Sequence, residues 1–169
     1  MAQNVRGTGA PAPEFDGTGR SVAIACGRFN DRITLRLLDG ARRGLGGLGG
    51  PGSDRTEVWV PGAFELPLTA KVLAQTGRYD AVVALGCVIR GETAHFDYVA
   101  GGCAAGIQRA QLDTGIPIVF GALTTENLDQ ALARSGGDED KGREAAEVAI
   151  EMATLLDAIR RQPGADPAT

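Results

Sequence analysis

His95 is the only histidine of the chain, and imidazole is the one side chain that ordinarily changes charge near neutral pH. It follows a continuous apolar run, residues 81–89, and precedes a helical pattern that begins at Phe96. A histidine at this position either packs against the helix end and caps it, or transfers protons at the carboxyl end of a strand. The position beyond a strand favours proton transfer.

The segment Gly91-Glu92-Thr93 offers backbone N–H groups just before that helix, an arrangement that binds anions such as phosphate. The alternative is an ordinary strand-to-helix turn. A nearby cation would favour the anion site, and Arg134 and Lys141 are both candidates. Arg134 also ends a predicted helix, where a cation simply complements the helix dipole.

Four further side chains follow predicted strands or, for Phe120, lie within one. Phe29 and Asn30 form either a hydrophobic staple with an N-cap or a ring that stacks on a planar ligand. Glu65 either compensates a helix dipole or accepts hydrogen bonds from a polyol. Phe120 is either a core residue or a site residue. Considered alone, each of these residues is better explained by its structural role than by ligand binding.

These residues lie where a set of alternating strands and helices would place them together. Four apolar runs without polar alternation predict buried parallel strands, and the amphipathic stretches between them predict covering helices. The ligand site of such a sheet lies beyond the carboxyl ends of its strands. The predicted strands are residues 21–26, 56–60, 81–89 and 117–123, and the predicted helices are residues 31–45, 64–75, 96–113, 127–134 and 141–160.

Composition limits the classes of function. A chain of 169 residues with 43% hydrophobic side chains is one globular domain, and its net charge of −4 argues against nucleic acid as a partner. One histidine and three scattered cysteines indicate no metal site and a reducing, cytoplasmic environment. No run is long enough to cross a membrane, so no membrane partner is expected. We predict an N-terminal arm at residues 1–19, an α/β domain at 20–161 and a tail at 162–169.

Two common nucleotide-binding patterns, G-x-G-x-x-G after a strand and G-x-x-x-x-G-K-[ST], do not occur in the sequence. The glycine-rich stretch from Gly44 to Gly52 follows a helix, so it is predicted to be a loop. A G-x-S-x-G elbow is also missing, which argues against serine hydrolysis.

Taken together, the sequence between residues 20 and 158 resembles the lumazine synthase family. Six segments carry the resemblance, in chain order: 27–31 (GRFND), 59–67 (WVPGAFELP), 84–99 (ALGCVIRGETAHFDYV), 120–121 (FG), 123–127 (LTTEN) and 140–142 (DKG). An ordered set of this length is far more specific than any single motif. The resemblance implies a three-layer αβα sandwich of flavodoxin-like type, with an extra N-terminal strand added to a neighbouring subunit.

The resemblance also implies a reaction without metal or organic cofactor. It joins 5-amino-6-(D-ribitylamino)uracil to 3,4-dihydroxy-2-butanone 4-phosphate, with release of phosphate and water, in riboflavin biosynthesis. His95 would shuttle protons, and Gly91, Glu92, Thr93 and Arg134 would bind phosphate. The residues implied to bind the ring and the ribityl chain are Phe29, Asn30, Ala63, Phe64, Glu65, Cys87, Val88, Ile89, Phe120 and Lys141.

The implied assembly is a pentamer or a shell of sixty subunits, with sites at subunit interfaces where Phe120, Arg134 and Lys141 come from the neighbour. Riboflavin synthase is a further implied partner. Cys87 replaces the usual Thr or Val, and residues 135–140 lack a turn found in many shell-forming members. Two other functions remain open: an archaeal-type riboflavin synthase, and a flavin-binding or shell protein without turnover.

Overall fold

The computed structural model of the chain describes residues 10–11, 15–49 and 55–162. Most of the predicted arm, nearly all of the predicted tail and the end of the glycine-rich stretch therefore lie outside the described residues. Residues 15–21 are not part of a strand. Gly17 donates a backbone hydrogen bond to the carbonyl oxygen of Leu48 at 3.0 Å, which joins this segment to the end of the first helix.

Within the described residues, the sheet has four parallel strands in the order β2-β1-β3-β4, which confirms the predicted count and direction. The strands are β1 (Val22–Gly27), β2 (Thr56–Val60), β3 (Ala81–Ile89) and β4 (Ile118–Thr125). β1 and β3 occupy the centre, and their side chains are buried on both faces of the sheet. This burial is the reason why their sequences are apolar without alternation.

Helices cover both faces, so the three-layer sandwich is confirmed. They are α1 (Asp31–Gly47), α2 (Leu66–Gln75), α3 (His95–Thr114), α4 (Leu128–Ala133) and α5 (Lys141–Arg161), with short 3-10 turns at Ala63–Glu65 and Gly137–Glu139. Val22, Ile24 and Cys26 pack with α1 and α5, whereas Ala23 and Ala25 pack with α2 and α3. Within the described ranges, no helix combines the length and the apolar character that a membrane span requires.

The prediction of a loop from Gly44 to Gly52 was wrong in its first part, because α1 continues to Gly47. The reason is packing: α1 and α5 approach so closely that a Cβ atom on Gly44 would lie 2.8 Å from the Cβ atom of Ala146. Tertiary contact thus favours glycine inside this helix, although glycine has a low intrinsic helix propensity.

Gly142 lies at the tightest point of the same contact, and a Cβ atom there would overlap the carbonyl group of Leu37. We expect Gly142→Ala to lower the free energy of unfolding by about 1–3 kcal/mol, because backbone must move to admit the methyl group. Urea denaturation at matched protein concentration measures the change. Gly46→Ala is the control: its Cβ atom would meet nothing within 4 Å, so alanine should stabilise α1 by up to about 1 kcal/mol. Equal effects of the two substitutions would contradict the packing argument.

Candidate active site

A cavity of about 670 Å³ lies beyond the carboxyl ends of β1, β2 and β3. This is the position that the sequence predicted for a ligand site. The predicted site residues that line it are Phe29, Asn30, Ala63, Phe64, Glu65, Cys87, Val88, Ile89, Gly91, Thr93 and His95. Five further lining residues were not predicted: Pro61, Gly62, Phe96, Tyr98 and Val99. The last three lie on the first turns of α3, where helical spacing could have indicated them.

Several aromatic rings line this cavity, and three of them are largely exposed. The exposed fractions are 73% for Phe29, 59% for Phe64 and 75% for Tyr98. Large apolar side chains gathered around one concave surface indicate a binding site. Flat rings of this kind bind a planar ligand by stacking.

Asn30 connects two of the strand ends that form the cavity. Its Nδ2 donates a hydrogen bond to the carbonyl oxygen of Cys87 at 2.9 Å, from β1's loop to the end of β3. Its side chain therefore does not cap α1, as the staple alternative required; only its backbone oxygen accepts from the amides of Ile33 and Thr34. Asn30 is also the one non-glycine residue with positive φ in the described chain, at φ 61° and ψ 40°.

Substitutions at position 30 test whether the left-handed backbone conformation is the reason for asparagine there. We expect Asn30→Ala to lower the free energy of unfolding by about 1–3 kcal/mol, because alanine adopts this conformation at a cost and the bond to Cys87 is lost. Asn30→Gly removes the same hydrogen bond but tolerates the conformation, so it should cost about 1 kcal/mol or less. Urea denaturation of both variants compares them. If glycine and alanine are equally destabilising, the backbone conformation is not what selects asparagine here.

The end of β3 offers backbone groups to the cavity. The pairing of β1 with β3 ends at Cys26 and Leu85, so residues 87–89 extend beyond β1 on that side. Burial raises the pKa of the Cys87 thiol to about 11, which keeps it protonated at neutral pH. Cys87 therefore forms a neutral part of the cavity wall.

Glu65 lies at the other side of the cavity, in the 3-10 turn after β2. Its Oε2 accepts a hydrogen bond from the amide of Gly62 at 2.9 Å, which fixes the carboxylate at the turn. The side chain is exposed, and Oε1 has no partner among the described residues. The second oxygen is thus available to a ligand hydroxyl group.

His95 is the first residue of α3, and its side chain is exposed at the cavity rim. Its amide donates to Oγ1 of Thr93 at 3.4 Å. In the described chain, the amides of Glu92 and Thr93 donate no hydrogen bond, although they precede a helix of 20 residues. Such amides with the positive end of the helix dipole can bind an anion. Glu92 itself does not line the cavity.

Arg90 is held away from this anion position by two carboxylates. Its Nε donates to Glu126 at 2.8 Å, its Nη1 lies 3.1 Å from Asp97, and its guanidinium stacks at 4.1 Å from the centre of the Phe96 ring. These contacts position the start of α3 against β4.

Three predicted site residues lie elsewhere. Phe120, Arg134 and Lys141 line a separate hollow of about 320 Å³ between the edge strand β4 and α5, which shares no lining residue with the first cavity. Arg134 donates to the carbonyl oxygen of Gln130 at 3.0 Å, and Lys141 pairs with Glu144 at 2.7 Å. A single chain thus keeps the predicted cations apart from His95.

The first cavity can therefore hold a planar molecule between aromatic rings, accept hydrogen bonds from its hydroxyl groups and place an imidazole beside it. The family model of 6,7-dimethyl-8-ribityllumazine synthase matches residues 19–157. A relative from Thermus thermophilus with that name is 54% identical over 151 residues, which cover 89% of this chain and 96% of the relative.

A second relative with the same name, from Edwardsiella ictaluri, is 53% identical over 141 residues, covering 82% of this chain and 90% of its own length. The residues that the family model matches include the four described strands, helices α1 to α4, and α5 as far as Asp157. The chain therefore belongs to the 6,7-dimethyl-8-ribityllumazine synthase family.

Proposed function

We propose that this protein catalyses the formation of 6,7-dimethyl-8-ribityllumazine from 5-amino-6-(D-ribitylamino)uracil and 3,4-dihydroxy-2-butanone 4-phosphate. The 5-amino group condenses with the ketone to an imine and releases one water. Phosphate is then eliminated, and attack of the ribityl-bearing nitrogen on the new carbonyl closes the ring with loss of a second water. The observation that carries the proposal is the ring-lined cavity beside His95, in a chain more than half identical to relatives named for this activity.

The contacts around the cavity support a site for the ribityl substrate. Phe29 and Phe64 would stack on the pyrimidine ring, since both rings are more than half exposed there. The backbone of Cys87, Val88 and Ile89 would hydrogen-bond the ring, because the end of β3 extends beyond β1. Glu65 would accept from ribityl hydroxyl groups through the oxygen that Gly62 does not engage. Ala63, buried beside them, would form the floor.

The second substrate would bind where α3 begins. The amides of Gly91, Glu92 and Thr93 would bind its phosphate at the positive end of the helix dipole. His95, next to them, would move protons between the imine intermediate and the leaving groups. Positioning two reactants supplies much of the rate in such a condensation, so one general acid–base residue is sufficient.

We further propose that a neighbouring subunit completes each site. Arg134 would provide the cation for the phosphate, and Phe120 and Lys141 would close the pocket over the ring. The separation of the two hollows within one chain supports this arrangement. A head-to-tail ring places one half-site of each subunit against the other half-site of the next. A pentamer, alone or as the unit of a larger shell, is the assembly that we propose.

The assembly should not depend on the first residues of the chain. We expect a chain that begins at Gly19 to remain pentameric, because Phe15 to Thr18 contact the domain through few hydrogen bonds, such as that from Thr154 to the Asp16 carbonyl. Light scattering of the shortened and full-length chains measures the mass. A monomeric product would contradict this prediction, whereas a change only from shell to pentamer would agree with it.

The activity is tested by incubating the protein with both substrates and following the fluorescent lumazine and the released phosphate. The two products should appear in equal amounts. Incubation with lumazine alone distinguishes the riboflavin synthase alternative, which would yield riboflavin. A protein that binds lumazine but forms neither product would support the non-catalytic alternative and refute the proposal.

A further inference from the structure

One face of α1 holds the chain segment that connects α4 with α5. Arg36 on this face directs its Nε to Ser135 and donates to the carbonyl oxygen at 2.8 Å and to Oγ at 3.0 Å. Ser135 is fully buried, although it lies in a connecting segment. The guanidinium also lies against Gly136, where a Cβ atom would come within 3.0 Å of it. The first anchor of the segment is therefore a bifurcated hydrogen bond from Arg36 to Ser135.

Asp140 provides a second anchor at the other end of the segment. Its side chain is only 4% exposed, and it accepts from Arg43 Nη2 at 2.9 Å and from the amides of Gly142 and Arg143 at 3.1 and 3.2 Å. A side chain at position 40 would overlap this carboxylate. Because residue 40 is glycine, the Asp140 carboxylate can pack directly against the backbone of α1. Arg36, Gly40 and Arg43 lie three to four residues apart and thus share one helix face.

The anchored segment carries both cations of the second hollow. Arg134 directly precedes Ser135, and Lys141 directly follows Asp140. The amide of Lys141 donates to the carbonyl oxygen of Arg134 at 3.0 Å, which closes the segment into a loop with the two cations at its base. Arg36 and Arg43 themselves do not line the hollow.

Without anchors this loop would be mobile, because it contains two adjacent glycines, Gly136 and Gly137, both with positive φ. We infer that Arg36 and Arg43 are positioning residues, which act through Ser135 and Asp140 to hold this loop in the binding arrangement. Arg36 contacts the residue that follows Arg134, so it chiefly positions the cation for the phosphorylated substrate. The inference rests on the proposed function, in which Arg134 binds the phosphate of the neighbouring site. When a binding arrangement is populated for only part of the time, the affinity falls by that fraction.

Steady-state kinetics of Arg36→Ala test this role. KM for the butanone phosphate should rise about tenfold, while kcat and KM for the ribityl substrate change less than about twofold. Arg42→Ala is the matched control on the same helix, because Arg42 pairs with Glu57 and Asp39 and does not touch the loop. Ser135→Ala, which removes the hydroxyl but keeps the carbonyl acceptor, should change the same KM by about twofold.

A double-mutant cycle shows whether Arg36 acts through Arg134. In an Arg134→Ala background, Arg36→Ala should raise KM for the butanone phosphate no further, because the positioned cation is already missing. An equal rise in both backgrounds, or equal rises of KM for both substrates, would overturn the inference. Those results would indicate general destabilisation of the fold.

Hydrogen exchange gives a readout that needs no activity. The amides of residues 135–142 should exchange faster in Arg36→Ala and in Arg43→Ala than in the wild type and in Arg42→Ala. Unchanged exchange in both variants would overturn the inference. A wild-type protein that forms no lumazine would refute the proposed function instead, while the exchange rates would still decide whether α1 holds the loop.

Discussion

His95→Ala is expected to lower kcat by about 10²-fold while the affinity for the ribityl substrate stays nearly constant. The imidazole lies at the rim of the ring-lined cavity, and His95 is the chain's only histidine. General acid–base catalysis contributes about 10²–10⁴-fold, and we place the effect at the lower end because an amine condenses with a ketone without a catalyst. Single-turnover fluorescence measures the chemical step, and quenching of the aromatic fluorescence by the ribityl substrate measures its affinity.

Added imidazole separates proton transfer from a role in packing. If His95 moves protons, imidazole should restore part of the activity of His95→Ala in a concentration-dependent manner. His95→Gln, which keeps a polar side chain at the start of α3, should remain as slow as the alanine variant. An unchanged kcat in either variant would remove His95 from the mechanism.

Co-assembly of two inactive variants should restore about a quarter of the wild-type activity. His95→Ala and Arg134→Ala subunits each damage every site of their own homo-oligomers, although they damage different half-sites. In a randomly mixed ring, a site is intact when an Arg134→Ala chain supplies His95 and the following His95→Ala chain supplies Arg134. The two choices are independent, so about one site in four is intact. Co-expression at equal levels, followed by kinetics and mass analysis of the subunit ratio, measures the recovery.

Mixing the separately purified variants, without subunit exchange, is the control and should restore nothing. Arg134→Ala alone should mainly raise KM for the phosphorylated substrate, since a charge-assisted hydrogen bond is lost. Co-assembled rings that show only the mean activity of the two variants would place the complete site within one chain and would contradict the assignment of Arg134 to the neighbour.

The fold could be predicted because its signals are local. β3 has the predicted bounds, since a strand covered on both faces must be apolar throughout. β2 is a half-buried edge strand, and it also has the predicted bounds because Pro61 and Gly62 follow its β-rich run. The prediction failed where distant contacts override local propensity: Gly44 lies inside a helix where α1 packs closely against α5, and the helix then continues to Gly47. β4 likewise extends to Thr125, because its pairing with β3 continues to Ile89.

The ring-lined cavity could be predicted in outline, because parallel strands bring their carboxyl ends to one edge of the sheet. The contacts that shape the cavity and the second hollow could not. Asn30 meets Cys87 across 57 residues, and Arg36 meets Ser135 across 99 residues. Side-chain pairs this far apart leave no periodicity in one sequence. Arg36 and Arg43 were missed for the same reason, since in the sequence they resemble ordinary charged residues on the solvent-exposed face of a helix.

The packing of α1 against α5 has a consequence for the order in which the chain acquires its structure. α1 follows the first strand, whereas α5 is the last helix, and their contact joins residues 97 positions apart, such as Arg43 and Asp140. During synthesis at about 5–20 residues per second, α1 emerges roughly 5–20 s before the helix that covers it. Its glycine-containing face remains without its partner for that time. The nascent chain therefore completes the helical layer of α1 and α5 late, and the loop that carries Arg134 and Lys141 is among the last parts of the molecule to be fixed.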